Sequence, residues 1–220
     1  EAVTVSDTTL AAATLNTLDG YTSGTVNAAA VNTLEGTIAA CNTAYASAGI
    51  SGLGSEAVTL TDTALTDPSA LVTLNTKTDK TINADTLSTV SGSLATVKSV
   101  YDEKVAVTGN SANDGISGLG DQAITITDTG SVAATDLTAV ATANSSGTLA
   151  AASVTTITGT VDQITAAYAS GVVDSGLGDE TITVNSGTVS VENANDLNAL
   201  TTGTVTATVT SGTTIAAMLH

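Results

Sequence analysis

Apolar and polar positions alternate strictly in four short runs of the chain. Val3 and Val5 alternate with Thr4 and Ser6, and Val58 and Leu60 with Thr59 and Thr61. Ile124 and Ile126 do so with Thr125 and Thr127, and Ile182 and Val184 with Thr183. Period-two alternation rich in β-branched residues predicts strands. Each run leads into a piece of helical character: ATLNTLDG, ALVTLNTKTD, TDLTAVATAN and NDLNALTTG. A second apolar pattern has a spacing of three, in Val31 with Leu34, Leu87 with Val90 and Val154 with Ile157. It predicts further short helices, closed at Gly36, Gly92 and Gly159 by a left-handed residue. Helices of two or three turns are not stable alone, so burial against a neighbour must hold them.

These patterns recur as a repeat. The tetrapeptide SGLG stands at 51–54, 117–120 and 175–178, and one residue later a strand run opens. The runs begin at Glu1, Glu56, Gln122 and Glu180, at intervals of 55, 66 and 58 residues. The long interval is accounted for by an insertion of roughly ten residues, VAVTGNSAND, after Tyr101. Within each repeat a second section has constant length: TVNAAAVNTLEG, TINADTLSTVSG and TLAAASVTTITG. Constant length is what a stacked coil requires, because an extra residue would shift its neighbours. The third section begins TIAACNTAY, SLATVKSVY or TVDQITAAY and runs to SGLG.

The expected architecture is an α/β repeat solenoid of strand-plus-short-helix coils, with strands stacked in parallel ladders. One solenoid is expected over 1–220, in repeats 1–55, 56–121, 122–179 and an incomplete 180–220. The alternative is an all-β solenoid in which the ALNTL pieces are turns. Strong periodicity and a single Pro argue against disorder.

Composition narrows the chemistry. The chain has 220 residues, a net charge of -17, 2% aromatics, and no Trp, Phe or Arg. Small side chains suit a narrow coil, which has room for Val, Leu and Ala. With one Cys and one His, neither a disulfide framework, a Cys/His zinc site nor a His-based triad fits within the sequence. The acidic balance disfavours nucleic acid, whose phosphates need Lys and Arg. No window approaches the ~20 apolar residues of a membrane span. SGLG lacks the Gly-Lys-Ser/Thr ending of a phosphate loop, and no GxSxG elbow has a partnering His.

Few residues are left as candidates for chemistry. Cys41 aligns with Val97 and Ile164, which reads as a core position. Tyr45, Tyr101 and Tyr168 recur at one repeat position and are expected to cover the third section, their hydroxyls reaching a backbone or solvent partner. Asp7, Asp62 and Asp128 follow strands, where a carboxylate accepts backbone N–H groups. The calcium candidates are Asn110, Asp114, Asp121, Asp179 and Glu180. Asn110, Asp114, Gly115 and Asp121 match EF-hand positions 1, 5, 6 and 12, but Ala112 at position 3 brings no oxygen. No other cofactor is expected. Thr-x-Thr pairs raise an ice-binding reading, which Asn27, Asn83 and Ala39 interrupt. Asn144-Ser145-Ser146 is the one acceptor pattern for N-linked sugar.

The closing TTIAAMLH aligns with the start of the first repeat's third section. Neither end carries the polar cap a solenoid needs. The expectation is therefore either an excerpt of a longer array or ends that pack against identical copies, head to tail. Val3 and Val5 at one end, and Val205, Val209, Ile215 and Met218 at the other, are the self-assembly candidates. The SGLG–EAVTL start, the A-x-x-L-N-x-L pieces and the T-V-x-A-x-x-V-x-T-L-x-G sections resemble the Ala/Thr/Val-rich repeats of giant secreted or cell-surface bacterial proteins, of the marine cyanobacterial type. That resemblance implies an extracellular or cell-surface, non-enzymatic module of a fibre, surface layer or giant surface protein. Its partners would be other copies or adjoining repeats. A calcium-dependent or carbohydrate-binding adhesin module is the alternative.

Overall fold

The structure, a computed structural model, describes residues 1–104 and 115–210. The chain is α/β, built from repeating strand–helix units with parallel sheets, and it divides into two compact units. The first comprises 1–90 and 99–122, the second 91–98 and 123–220.

In the first unit β1 (Val3–Thr4), β2 (Thr9–Ala11) and α1 (Ala12–Tyr21) lead to β3 (Val26–Asn27), β4 (Thr33–Gly36) and α2 (Ile38–Ala46). Then follow β5 (Ile50–Ser51), β6 (Ala57–Leu60), β7 (Ala64–Leu65), α3 (Pro68–Asn75), β8 (Ile82–Asn83), β9 (Thr89–Gly92), α4 (Leu94–Asp102) and β10 (Ile116–Ser117), of which the end of β9 and the start of α4, residues 91–98, belong to the second unit. The strands pair in parallel as β1-β3-β5 and as β10-β8-β6-β4-β2. Equivalent residues meet in register: Val3 with Val26, Val26 with Ile50, Leu34 with Val58, and Val58 with Ile82.

The second unit holds β11 (Ala123–Ile126), β12 (Ser131–Ala133), α5 (Ala134–Ala143), β13 (Thr148–Ala150), β14 (Thr156–Gly159), α6 (Val161–Ala167), β15 (Thr181–Val189), α7 (Val191–Leu200) and β16 (Val205–Val209). There β12-β14-β15-β16 form one parallel sheet and β11 pairs with β13. Ile157 meets Ile182, and Ile182 meets Val205.

Alternation works as the pattern predicts: Val58, Leu60, Ile124 and Ile126 face inward and are buried. The ALNTL pieces form α1 and its equivalents, so the all-β alternative fails. Leu15, Leu71 and Leu137 on these helices have no exposed surface. Burying such a side chain is worth about 1.5–3 kcal/mol, which a two- or three-turn helix needs in order to persist. Asn16 on α1 donates to the Ala40 carbonyl of α2 at 2.9 Å, and Asn42 on α2 to Ala70 of α3 at 3.0 Å.

The second section departs from its expected helix. TVNAAAVNTLEG is strand, turn and strand, with Val31 N–H donating to Ala28 at 2.9 Å in the turn. The same holds for the other two copies. The spacing of three arises because the chain bends between two inward positions, Val31 before the strand and Leu34 within it. Gly36, Gly92 and Gly159 end strands rather than helices, and Gly92 and Gly159 do not have positive φ. The remaining helices lie instead in the third section. There Ile38, Cys41 and Ala44 bury one face of α2, and Thr37 caps its start by accepting from Ala40 N–H at 3.1 Å.

Two of the strands that open a repeat pair both with a strand of the repeat before and with one of their own. β6 pairs on one side with β4 of the first repeat and on the other with β8 of its own. β15 likewise lies between β14 and β16. Each of these two strands therefore also closes the repeat before it.

Candidate functional site at the repeat junctions

The opening residue of each inner repeat is polar yet buried. Glu56 is 1% exposed, Gln122 0% and Glu180 1%. Burying a polar side chain is costly unless its hydrogen bonds are made, and here the preceding SGLG turn makes them. The Glu56 carboxylate accepts the Gly54 N–H at 3.0 and 2.9 Å and the Ser55 N–H at 3.0 Å. Glu180 accepts Gly178 N–H at 3.0 and 2.9 Å. Gln122 accepts Gly120 N–H through its side-chain oxygen at 2.7 Å.

The recurrent tyrosines complete this cluster. Tyr45 Oη donates to Glu56 Oε1, Tyr168 Oη to Glu180 Oε2 at 2.6 Å, and Tyr101 Oη to Gln122 Oε1 at 3.1 Å. Their partner is thus the buried side chain opening the next repeat, not backbone or solvent. Burial raises the pKa of all three phenols above the ordinary range, and the hydrogen bonds to Glu56 and Glu180 raise those of Tyr45 and Tyr168 further. Asp121 adds to the effect at Tyr101. Tyr21, which belongs to no junction, is 86% exposed.

Glycine geometry explains the tetrapeptide. The first glycines, Gly52, Gly118 and Gly176, have φ of 84°, 79° and 88°, and the second, Gly54, Gly120 and Gly178, 128°, 135° and 130°. A Cβ on Gly52 would stand 2.7 Å from Ala29 N, on Gly118 2.5 Å from Asp85 N, and on Gly176 2.3 Å from Ala152 N. Each SGLG turn thus presses its backbone against the second-section turn, where no side chain fits.

The backbone of the opening residue is held as well. Thr78 Oγ1 donates to the Glu56 carbonyl at 2.5 Å and Thr201 Oγ1 to that of Glu180 at 2.7 Å, while Thr22 Oγ1 donates to Glu1. After the strands, Asp62 accepts the Ile38 N–H of α2 at 2.8 Å and Asp128 the Leu94 N–H of α4 at 2.6 Å. The acids cap a helix start, as the sequence suggests, but of a helix earlier in the chain rather than the one that follows them. Negative charge at a helix start is favourable.

The calcium candidates are dispersed among these roles. Glu180 points its carboxylate into the turn, Asp179 is exposed, and exposed Asp121 accepts from Gln122 Nε2 at 2.7 Å. Asn110 and Asp114 lie outside the described residues. Among the described residues no three His, Cys, Asp or Glu side chains come together in a group able to hold a metal ion.

Of the self-assembly candidates, Val5 is 6% exposed and already belongs to the core, Val3 is half-buried, and Val205 and Val209 are half-buried on β16. Ile215 and Met218 lie outside the described residues. Cys41, fully buried, has its thiol pKa pushed up to about 12, chiefly by burial and then by Asp62. Asn144 is 2% exposed, which leaves its sequon inaccessible in the folded chain. Thr158, Thr183 and Thr206 align across β14, β15 and β16, whereas the column through Ala11, Glu35, Thr59, Asn83 and Ser117 is mixed. No helix among the described residues is long and apolar enough to cross a membrane.

Sequence reasoning had both halves of the junction, the recurrent Tyr and the recurrent Glu or Gln, without joining them. Their shared recurrence on either side of SGLG was the available signal. Comparisons of the chain with protein-family models, with curated protein sequences and with solved structures return no match.

Proposed function

We propose that the chain is a non-enzymatic structural repeat module, a solenoid whose coils extend an extracellular or cell-surface array. The observation that carries this reading is the junction itself. Its buried polar residue, tyrosine and glycine turn serve repeat-to-repeat continuity. Three such junctions, at Glu56, Gln122 and Glu180, use their most distinctive side chains on internal hydrogen bonds. The function is then geometric: parallel ladders provide length, and a net charge of -17 keeps the surface solvated. Partners are other copies stacked head to tail or adjoining repeats of the same kind.

Negative-stain electron microscopy of the protein without added ligand tests the self-assembling form. Long uniform filaments are expected, and isolated short particles at all concentrations would refute head-to-tail assembly. Val5→Asp is a poor probe, because Val5 is buried within its own coil. A calcium titration followed by thermal melting tests the adhesin alternative, since a ligand of the folded state raises Tm. An unchanged Tm at millimolar calcium removes its calcium-dependent form.

A further inference from the structure

We infer that the edge formed by Glu1–Asp7 is a docking surface for the third section of a further repeat, a segment carrying a tyrosine and an SGLG turn. The inference rests on the repeat-array reading and names the partner that reading leaves open. The run EAVTVSD repeats EAVTLTD at 56–62 and QAITITD at 122–128. It keeps each residue with which an inner junction grips its third section. Glu1 stands where Glu56, Gln122 and Glu180 accept turn N–H groups and a tyrosine hydroxyl. Asp7 stands where Asp62 and Asp128 accept the first N–H of a preceding helix.

One half of this junction is already assembled. Thr22 holds the Glu1 carbonyl as Thr78 holds that of Glu56, and Gly24 N–H donates to Thr22 Oγ1 at 3.0 Å as Gly203 N–H does to Thr201 at 2.9 Å. β1 is paired in register with β3. Yet Glu1 and Asp7 are exposed, whereas Glu56 and Glu180 are each 1% exposed. The three Tyr–SGLG sections of this sequence are already engaged by Glu56, Gln122 and Glu180. The occupant is therefore a third section additional to these three. It brings a phenol O–H, two turn N–H groups and a helix start to meet two carboxylates.

The test adds a second copy of residues 1–55 ahead of Glu1 in the full chain, which places a tyrosine and an SGLG turn before it at the Tyr45-to-Glu56 spacing. The original Glu1 is then changed to Ala in both the 220-residue chain and the extended chain, with Glu56→Ala as the reference. Glu1→Ala is expected to leave the Tm of the 220-residue chain unchanged and to lower that of the extended chain by about 3–8 °C, as a buried acceptor with unpaired donors does. Tyr→Phe in the added copy is expected to lower the extended chain's Tm in the same direction. Equal, negligible effects of Glu1→Ala in both chains would overturn the inference. So would an added repeat that contributes no helix or strand to the circular dichroism. Filament formation is read separately: a chain without filaments but with this Glu1 response keeps the docking surface and loses only spontaneous polymerisation.

Discussion

At Glu56 a carboxylate receives two turn N–H groups and the Tyr45 hydroxyl, and it offers nothing in return. At Gln122 an amide oxygen receives Gly120, Asp121 and Tyr101, while its Nε2 donates to the carbonyls of Leu87 and Gly118 at 3.1 and 2.9 Å and to Asp121 at 2.7 Å. The two junctions also differ in span, since Tyr45 lies 11 residues before its partner and Tyr101 lies 21 before its own. The same contact therefore survives both a loss of charge and the insertion at 105–114. What the fold demands is an acceptor at the mouth of the glycine turn. Charge is one way to supply it, and a second set of donors is another.

The sharpest way to break a junction is through the first glycine of its own turn. Gly118→Ala puts a Cβ 2.5 Å from Asp85 N at a φ of 79°, and a loss of about 3 kcal/mol or more is expected in urea melts. Gly171→Ala, at φ 82° with open space around it, is expected to cost only about 1–2 kcal/mol of backbone strain. Equal losses for the two would show that the packed turn adds nothing.

Exchanging the acceptors comes next in size. Gln122→Glu removes three donated hydrogen bonds and turns an oxygen toward the Leu87 and Gly118 carbonyls, so about 2–3 kcal/mol should be lost. Glu56→Gln keeps the acceptor and is expected to cost less than Gln122→Glu by at least about 1 kcal/mol. A reversed order in chemical denaturation would mean that charge, not donor count, distinguishes the sites.

Removing the hydroxyls should give a smaller, graded effect. Tyr168→Phe gives up a bond to a carboxylate and Tyr101→Phe a bond to a neutral amide, so losses of about 2 and 1 kcal/mol are expected. Equal Tm shifts would erase the distinction.

The least perturbing probe is alkaline pH. In the unfolded chain a phenol ionises near its ordinary value of 10.0, whereas in the folded chain Tyr45, Tyr101 and Tyr168 remain protonated above it. The unfolded state then binds fewer protons than the folded one, so the stability these groups contribute is fully present below pH 10 and declines as pH rises beyond it. Tyrosinate absorbance should accordingly show these three ionising later than free tyrosine, and together with unfolding. Their early titration in a chain that stays folded would contradict the buried latch.

Much of this fold was legible along the chain. Four strand starts, the helices after them and the repeat boundaries follow from alternation, from ALNTL-type pieces and from SGLG. The second and third sections were not separable in the same way. Val31 and Leu34 share the three-residue spacing of Ile38 and Cys41, yet the first pair lies across a turn and a strand and the second on a helix. Inward positions recur every three residues in both cases, so periodicity alone cannot distinguish a bent strand from a helical turn.

The sequence by itself determined the repeat, the α/β class and the small-residue core, because these depend on local spacing and side-chain volume. Only the tertiary structure decided what each repeated polar residue is for. Tyr45 meets Glu56, Asp62 caps a helix 24 residues behind it, and β6 serves two repeats at once. Each of those contacts joins residues of different elements, and only the folded chain brings their donors and acceptors within hydrogen-bonding distance.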